Sequence, residues 1–384
     1  MKTKKNVNKK DAGDMKPSKK TTLKNKSRSF SPVVNKNLDV KSLKTLKNKT
    51  IKLCDNLLEI NTGTVANPKC LKFNSMEVKK FLLKNLMSSK HLKPEKFIAP
   101  KQLYSNCWFN TMFVAFFFSD KGRKFFRFFR NLMITGKKQD NTLLDDMVMR
   151  KLLFIFNLYI EASYNQNPSG TSKNKINLHE QVKRLTANLD TNFLIKNVYN
   201  RIKRKDPRYD LPDIDDAGNP LEFYKIIMSY LKYDVINILN IDVDEHSKIK
   251  YKTTNEILDN KFKIERDMVV FEDHESGMDY ETSYEVELKG KKYKYILDSI
   301  IMTNKGHYNP KDNSHFISVL TINGIGYKFD GGSYSRLSKF DWKKQLNINK
   351  DFSFKENPAF HPEKYNFTKA YKILFYYRSW KYVI

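Results

Sequence analysis

Cys107 lies in Ser105-Asn106-Cys107-Trp108-Phe109-Asn110, a short polar run that turns abruptly apolar. A lone cysteine is most often a small buried hydrophobe, but three local features set this one apart. It opens a strongly apolar, helix-compatible stretch, behind Ser105 and Asn106, both good N-cap types. A thiolate there gains from the helix dipole and from free backbone N–H groups. Gln102 lies a few residues upstream, where a loop can fold its side-chain amide beside the thiol. Such an amide, with the backbone N–H of Cys107, makes an oxyanion hole for acyl transfer to sulfur. The polar residues flanking Cys107 are not needed for packing. By itself the hexapeptide leaves nucleophile and structural thiol equally open.

A thiol nucleophile needs a base, and the chain has 7 His from which to choose. His315 opens His315-Phe316-Ile317-Ser318-Val319-Leu320-Thr321-Ile322, followed by Asn323-Gly324, the strongest short hairpin signal. The return strand runs from Ile325 to Asp330 and ends in Gly331-Gly332. With Asn323-Gly324 as a two-residue loop, Ile322 pairs with Ile325 and His315 faces Gly332. Asp330 then becomes the diagonal neighbour of His315 on the same face, with β-carbons about 7–8 Å apart or less. That arrangement lets a carboxylate orient an imidazole. His307, in Gly306-His307-Tyr308, is the rival, but it lies far along the ladder from Asp330 and Pro310 interrupts a strand between them. For His91, His179, His246, His274 and His361, surface or core roles suffice.

The elements that must hold these groups fall into two blocks. Residues 51–93 alternate short apolar clusters with lysines and read as one or two weak helices, and Pro94 and Pro100 bracket a loop. From Trp108 to Ile134 the residues are helix-compatible; Trp108, Phe109, Met112, Phe113, Phe116 and Phe117 cover most of a circumference, as in a helix buried all round. Gly122–Leu132 looks amphipathic, and helical patterns recur at Leu143–Ala162 and Leu221–Leu231. The section 163–215 is polar, with a loop at Asn165–Asn174. After about Lys248, strand-length runs appear at Met268–Phe271, Tyr284–Leu288, Tyr293–Leu297, His315–Ile322 and Tyr327–Asp330. Helices first and strands later predict an α+β fold.

Charge and composition bound the rest. Of the net charge of +29, residues 1–50 supply a surplus of 13, and Phe30 is their only aromatic. Such a segment cannot bury enough surface to offset ordering entropy and reads as a basic disordered tail. Solubility is one role for it; attraction to nucleic acid, an acidic partner or an anionic membrane is another. The whole chain is 40% hydrophobic with 27 Phe and 21 Tyr, enough for a sizeable core. The spacings of Cys54, Cys70 and Cys107 match no zinc ribbon and no disulfide framework. No apolar stretch reaches membrane-spanning length. The expectation is a soluble protein of the cytoplasm or nucleus, or of a host cell or virion if viral.

Cysteine early, histidine late and aspartate just after it is the chain order of papain-like enzymes, the reverse of the adenovirus-protease and SUMO-protease order. Within them the chain resembles the ubiquitin-specific protease family of deubiquitinases. Its Cys box is similar to Cys107-Trp108-Phe109-Asn110-Thr111 leading to Ala115-Phe116-Phe117-Phe118-Ser119. Its His box resembles His315-Phe316-Ile317-Ser318-Val319 with Tyr327-Lys328-Phe329-Asp330. Ala370-Tyr371-Lys372-Ile373-Leu374-Phe375-Tyr376 is similar to its closing segment, and Asn219-Pro220-Leu221-Glu222-Phe223 to an Asp-x-x-Glu-Phe element. The resemblance spans about 102 to 378. It departs at Gln102 for Asn, Tyr104 for Gly, Asn106 for Thr, Asn219 for Asp and Gly331 for a second Asp, and it lacks paired CxxC motifs.

The resemblance implies a papain-like fold, with a helical lobe carrying the cysteine and an antiparallel sheet lobe carrying histidine and aspartate. It implies Cys107 as nucleophile, His315 as general base then acid, Asp330 as orienting carboxylate and Gln102 as oxyanion donor. Glu222 and Asn219 would contact the tail of ubiquitin or a ubiquitin-like modifier, and no metal or cofactor is needed. The implied organisation is a tail at 1–50, a helical lead-in at 51–95 and a catalytic domain at 96–384. Two other readings stay open: the same triad acting on a polyprotein or another protein substrate, and a basic nucleic-acid-binding or structural protein with an inert papain-like domain.

Overall fold

In the computed structural model the described residues are 52–54, 56, 58–62, 69–87, 93–100, 102, 106–164, 191–208, 220–231, 237–306, 315–332, 334–354 and 363–379. The tail at 1–50 lies outside them. The architecture is mixed α/β, helices preceding most of the sheet. Where one or two weak helices are expected over 51–93, there are three short strands, β1 (Lys52–Leu53), β2 (Glu59–Asn61) and β3 (Cys70–Lys72), and then one helix, α1 (Met76–Met87). The strands pair in order β1-β2-β3. A disulfide joins Cys54 to Cys70, with α-carbons 6.0 Å apart. This corrects the expectation of no disulfide. Cys70 opens β3 and Cys54 follows the end of β1, a proximity that spacing along the chain does not reveal.

The helical block follows as α2 (Cys107–Phe117), α3 (Asp120–Phe125), α4 (Arg127–Thr135), α5 (Met147–Tyr164), α6 (Thr191–Lys205) and α7 (Pro220–Tyr230). All eleven residues of α2 are buried, as its all-round apolar pattern predicts. Each buried Phe contributes about 1.5–3 kcal/mol, so Phe109, Phe113, Phe116 and Phe117 anchor α2 whatever its intrinsic helix propensity. The expected run to Ile134 is broken at Ser119, whose hydroxyl donates to Ala115 O at 2.6 Å and caps α3 by accepting from the Gly122 N–H. Gly122 fits this corner because a β-carbon there would stand under 3 Å from both Ala115 O and Phe116 O. Within the section expected to be polar, α6 forms because Leu194, Ile195, Val198, Tyr199 and Ile202 make one buried stripe.

The sheet consists of β4 (Ile238–Val243), β5 (Met268–His274), β6 (Ser283–Leu288), β7 (Lys291–Thr303), β8 (Phe316–Ile322), β9 (Ile325–Asp330), β10 (Tyr334–Lys339) and β11 (Tyr371–Arg378), with α8 (Glu245–Lys250) and α9 (Thr254–Lys261) between β4 and β5. Its order is β10-β9-β8-β7-β11-β5-β4, with β6 on β7. All pairings are antiparallel except β4 with β5, an edge strand the sequence reading missed. Both faces are covered. On β11, Tyr371, Ile373, Phe375 and Tyr377 enter the core shared with the helices, while Leu374 and Tyr376 enter the opposite core. No helix among the described residues is long and apolar enough to cross a membrane.

Asp298 of β7 fastens the α2–α3 corner to the sheet. Its carboxylate is 2% exposed and accepts the Lys121 N–H at 2.7 Å and the Gly122 N–H at 3.1 Å. Burial pushes its pKa up to about 6 against the pull of these bonds. The unfolded chain releases this proton near pH 4, so this one group makes folding less favourable as pH rises from about 4 to about 6. Asp298→Asn is expected to flatten that part of a melting-temperature profile; an unaltered slope would rule the group out.

Candidate active site

Cys107 is the first residue of α2 and is 6% exposed. The first amides of a helix have no intrahelical acceptor, so the Cys107 N–H is set to serve a ligand oxygen. Asn106 occupies the N-cap position but makes no side-chain cap bond. Its amide turns inward: Nδ2 donates to Thr191 Oγ1 at 2.6 Å, and the Thr191 hydroxyl donates to Asn110 Oδ1 at 3.0 Å. At 1% exposure Asn106 is part of the packing, which corrects the expectation that polar residues beside the thiol are dispensable. Neither Thr191 nor Asn110 was singled out from sequence. The signal that could have found Asn110 is its polarity in a mostly apolar helix, four residues after Asn106.

His315 stands just before β8, and Asp330 ends β9. The ladder pairs Ile322 with Ile325, Leu320 with Tyr327 and Ser318 with Phe329, the register expected from a two-residue Asn323-Gly324 loop. Both loop residues have positive φ, 50° and 75°, as such a turn requires. His315 Nε2 lies 2.7 Å from Asp330 Oδ1. The same oxygen accepts the Gly332 N–H at 2.8 Å, and the His315 N–H donates to Asn304 Oδ1 at 3.1 Å. Burial disfavours charge on the ring, but hydrogen bonds to Asp330 and to the Cys107 side chain, with their charges, outweigh it and raise the His315 pKa to about 10. With Nε2 on Asp330, Nδ1 is the ring nitrogen available to the thiol.

Gln102 joins this group from the preceding loop. Its N–H donates to Gly331 O at 3.1 Å. A β-carbon at Gly332 would sit 3.3 Å from Asp330 Oδ1 and 3.4 Å from both Gln102 Oε1 and His315 Cε1, so a glycine here allows the close approach. Gln102, His315 and Asp330 are thus brought together, with the Cys107 side chain near enough to raise the His315 pKa. Asn219 lies outside the described residues, as do Ser105, Tyr104 and the rival His307. Glu222 falls in the first turn of α7, and its side chain is outside the described part. His274 lies 2.9 Å from Asp242, and the exposed His246 3.7 Å from Asp244. Among the described residues no group of three or more His, Cys, Asp or Glu could hold a metal ion.

No family model and no curated protein matches the sequence. Among solved structures, the chain is similar to a chain of the SAGA DUB module Ubp8/Sgf11/Sus1/Sgf73 bound to monoubiquitin, at 10% identity and a TM-score of 0.43, over 76% of this chain and 71% of that one. It is also similar to a chain of the module bound to ubiquitin aldehyde, at 12% identity and a TM-score of 0.42, with the same coverage. A likeness of this size says nothing about activity.

Two measurements probe the geometry. Thr191→Val strands the amides of two buried asparagines and is expected to cost about 1–3 kcal/mol in urea denaturation; a neutral effect would show the network is not needed. A His pKa raised from 6.5 to about 10 stabilises the fold fully below about pH 6.5 and progressively less up to pH 10. Asp330→Asn should therefore destabilise the chain more at pH 6 than at pH 10, by about 1.5–3 kcal/mol at the lower pH. Equal losses at the two pH values would count against a charged pair.

Proposed function

We propose that this chain is a thiol-dependent hydrolase that cleaves the peptide or isopeptide bond after the C-terminal Gly of ubiquitin or a ubiquitin-like modifier. The observation that carries the reading is the His315 ring, whose Nε2 lies 2.7 Å from Asp330 Oδ1 and whose pKa Asp330 and the Cys107 side chain together raise to about 10. The four ordered segments that resemble ubiquitin-specific proteases supply the substrate class, and with it the papain-like division into a helical lobe bearing the thiol and a sheet lobe bearing the base.

In this mechanism the Cys107 sulfur attacks the Gly carbonyl carbon, and the carbonyl electron pair moves to oxygen. The Cys107 N–H and the Gln102 side-chain amide receive that oxyanion. Protonated His315 gives its proton to the departing Lys amine as the C–N bond breaks, leaving a thioester. His315, now neutral, takes a proton from water, whose oxygen attacks the thioester and releases the Gly carboxylate and the thiol. Asp330 holds Nε2 throughout, so that Nδ1 faces the reaction. Glu222 and Asn219 are assigned to the modifier's tail.

Cys107→Ala is expected to abolish hydrolysis of a fluorogenic ubiquitin substrate and labelling by ubiquitin-vinyl probes. His315→Ala should lower kcat/KM by about 10²–10⁴-fold. Undiminished activity of Cys107→Ala would sink the assignment. Labelling by a SUMO-vinyl probe in place of the ubiquitin one would move the substrate to another modifier.

A further inference from the structure

The hairpin that carries His315 and Asp330 is tied at both ends to the segment that carries Cys107. At the open end the tie is the Gln102 N–H on Gly331 O. At the closed end it is Asp120, just beyond the end of α2. Asp120 Oδ1 accepts the Asn323 N–H and Oδ2 accepts the Gly324 N–H, each at 2.9 Å. Residues 323 and 324 lie beyond the last ladder pair, Ile322 with Ile325, so a single carboxylate holds the two amides of the turn.

Asp120 is itself firmly seated. Asp298 of β7 binds the next two amides, Lys121 and Gly122, and the Arg123 guanidinium lies 3.5 Å from the Asp120 carboxylate. An acidic residue in the first turn of a helix is common, because it favours the helix dipole. That role does not call for both oxygens to point at a distant hairpin. Bonds from a carboxylate to backbone amides are among the stronger ones, and at 24% side-chain exposure this one is largely shielded from water.

We infer that Asp120 is a positioning residue for the thiol–imidazole pair: it grips the Asn323-Gly324 turn, fixes how far the hairpin slides along α2, and so sets the distance between Cys107 and His315. This rests on the triad proposed above. At a helix rise of 1.5 Å per residue, Asp120 is roughly 20 Å from Cys107, so it acts through the frame and touches no reacting atom. The frame can carry that influence because α2 is buried along its whole length and packs on β8. A shift of about 1 Å in such a pair can cost on the order of 10²-fold in rate.

The test uses the full chain with Asp120→Ala and Asp120→Asn, at a temperature where circular dichroism shows each variant folded. Iodoacetamide alkylation of Cys107 is followed against pH, with His315→Ala as reference, and kcat and KM are measured on a fluorogenic ubiquitin substrate. The expected result for Asp120→Ala is a kcat lower by about tenfold or more, a KM within about twofold, and an alkylation profile displaced toward that of His315→Ala. Asp120→Asn keeps the size and one acceptor oxygen and should fall between; it also gives the reading should the alanine variant fail to fold. A lower melting temperature with wild-type kcat and alkylation profile would overturn the inference and leave the triad standing. Alkylation indifferent to His315→Ala would overturn the triad, and the inference with it. A chain inactive on ubiquitin, with alkylation sensitive to both His315 and Asp120, would keep the inference and discard only the substrate.

Discussion

Because side chains alternate along a strand, a slip of one residue between β8 and β9 would send His315 and Asp330 to opposite faces. The turn at Asn323-Gly324 forbids that slip. Its two positive φ values match the right-handed twist of the flanking strands, so the two-residue loop closes without splaying them. Each feature of the site then follows in order. The carboxylate meets Nε2, Gly332 supplies its N–H to the same oxygen, and the bare α-carbon of Gly332 leaves room for the Gln102 amide beside the ring.

The thiol comes from elsewhere in the chain, and aromatic packing brings it in. Phe116 meets Phe375 of β11 edge-on at 5.1 Å and stacks on Phe126 at 4.4 Å. Such contacts hold a helix against a sheet, but they discriminate poorly between neighbouring positions along it, since one ring resembles the next. Directional bonds do discriminate. Asn106 and Asn110 reach Thr191 on one side of α2, and the Ser119–Gly122 corner reaches Asp298 on another. Hydrophobic burial thus provides the adhesion, and a few shielded polar groups provide the address.

How far this was legible in the sequence depends on how local each signal is. The turn and register of the β8–β9 hairpin were legible, because the turn dipeptide and the strands it joins are contained in sixteen positions, although the strand starts at Phe316 and not at His315. The helix behind Cys107 was legible for the same reason, and its break at Ser119 was missed because the Phe-rich pattern runs on through a corner built by Asp298, far away in sequence. α6 was hidden by Lys and Arg on its exposed face. β4 and the strands β1–β3 are short and gain their identity from their partners. The Asn106–Thr191–Asn110 chain joins residues more than eighty positions apart and leaves no local trace.

The disulfide between Cys54 and Cys70 decides which sulfur of the chain stays free. Three cysteines allow three possible bridges, and two of them would consume Cys107. The bridge that spares it is also the one that closes the shortest loop, with a sequence separation of 16. Closing a longer loop costs more entropy, and Cys107 sits inside a helix that is buried on all sides once formed. The bridge thus takes up two of the three sulfurs of the sequence, and the odd cysteine count leaves Cys107 as the free thiol, without an intramolecular mate.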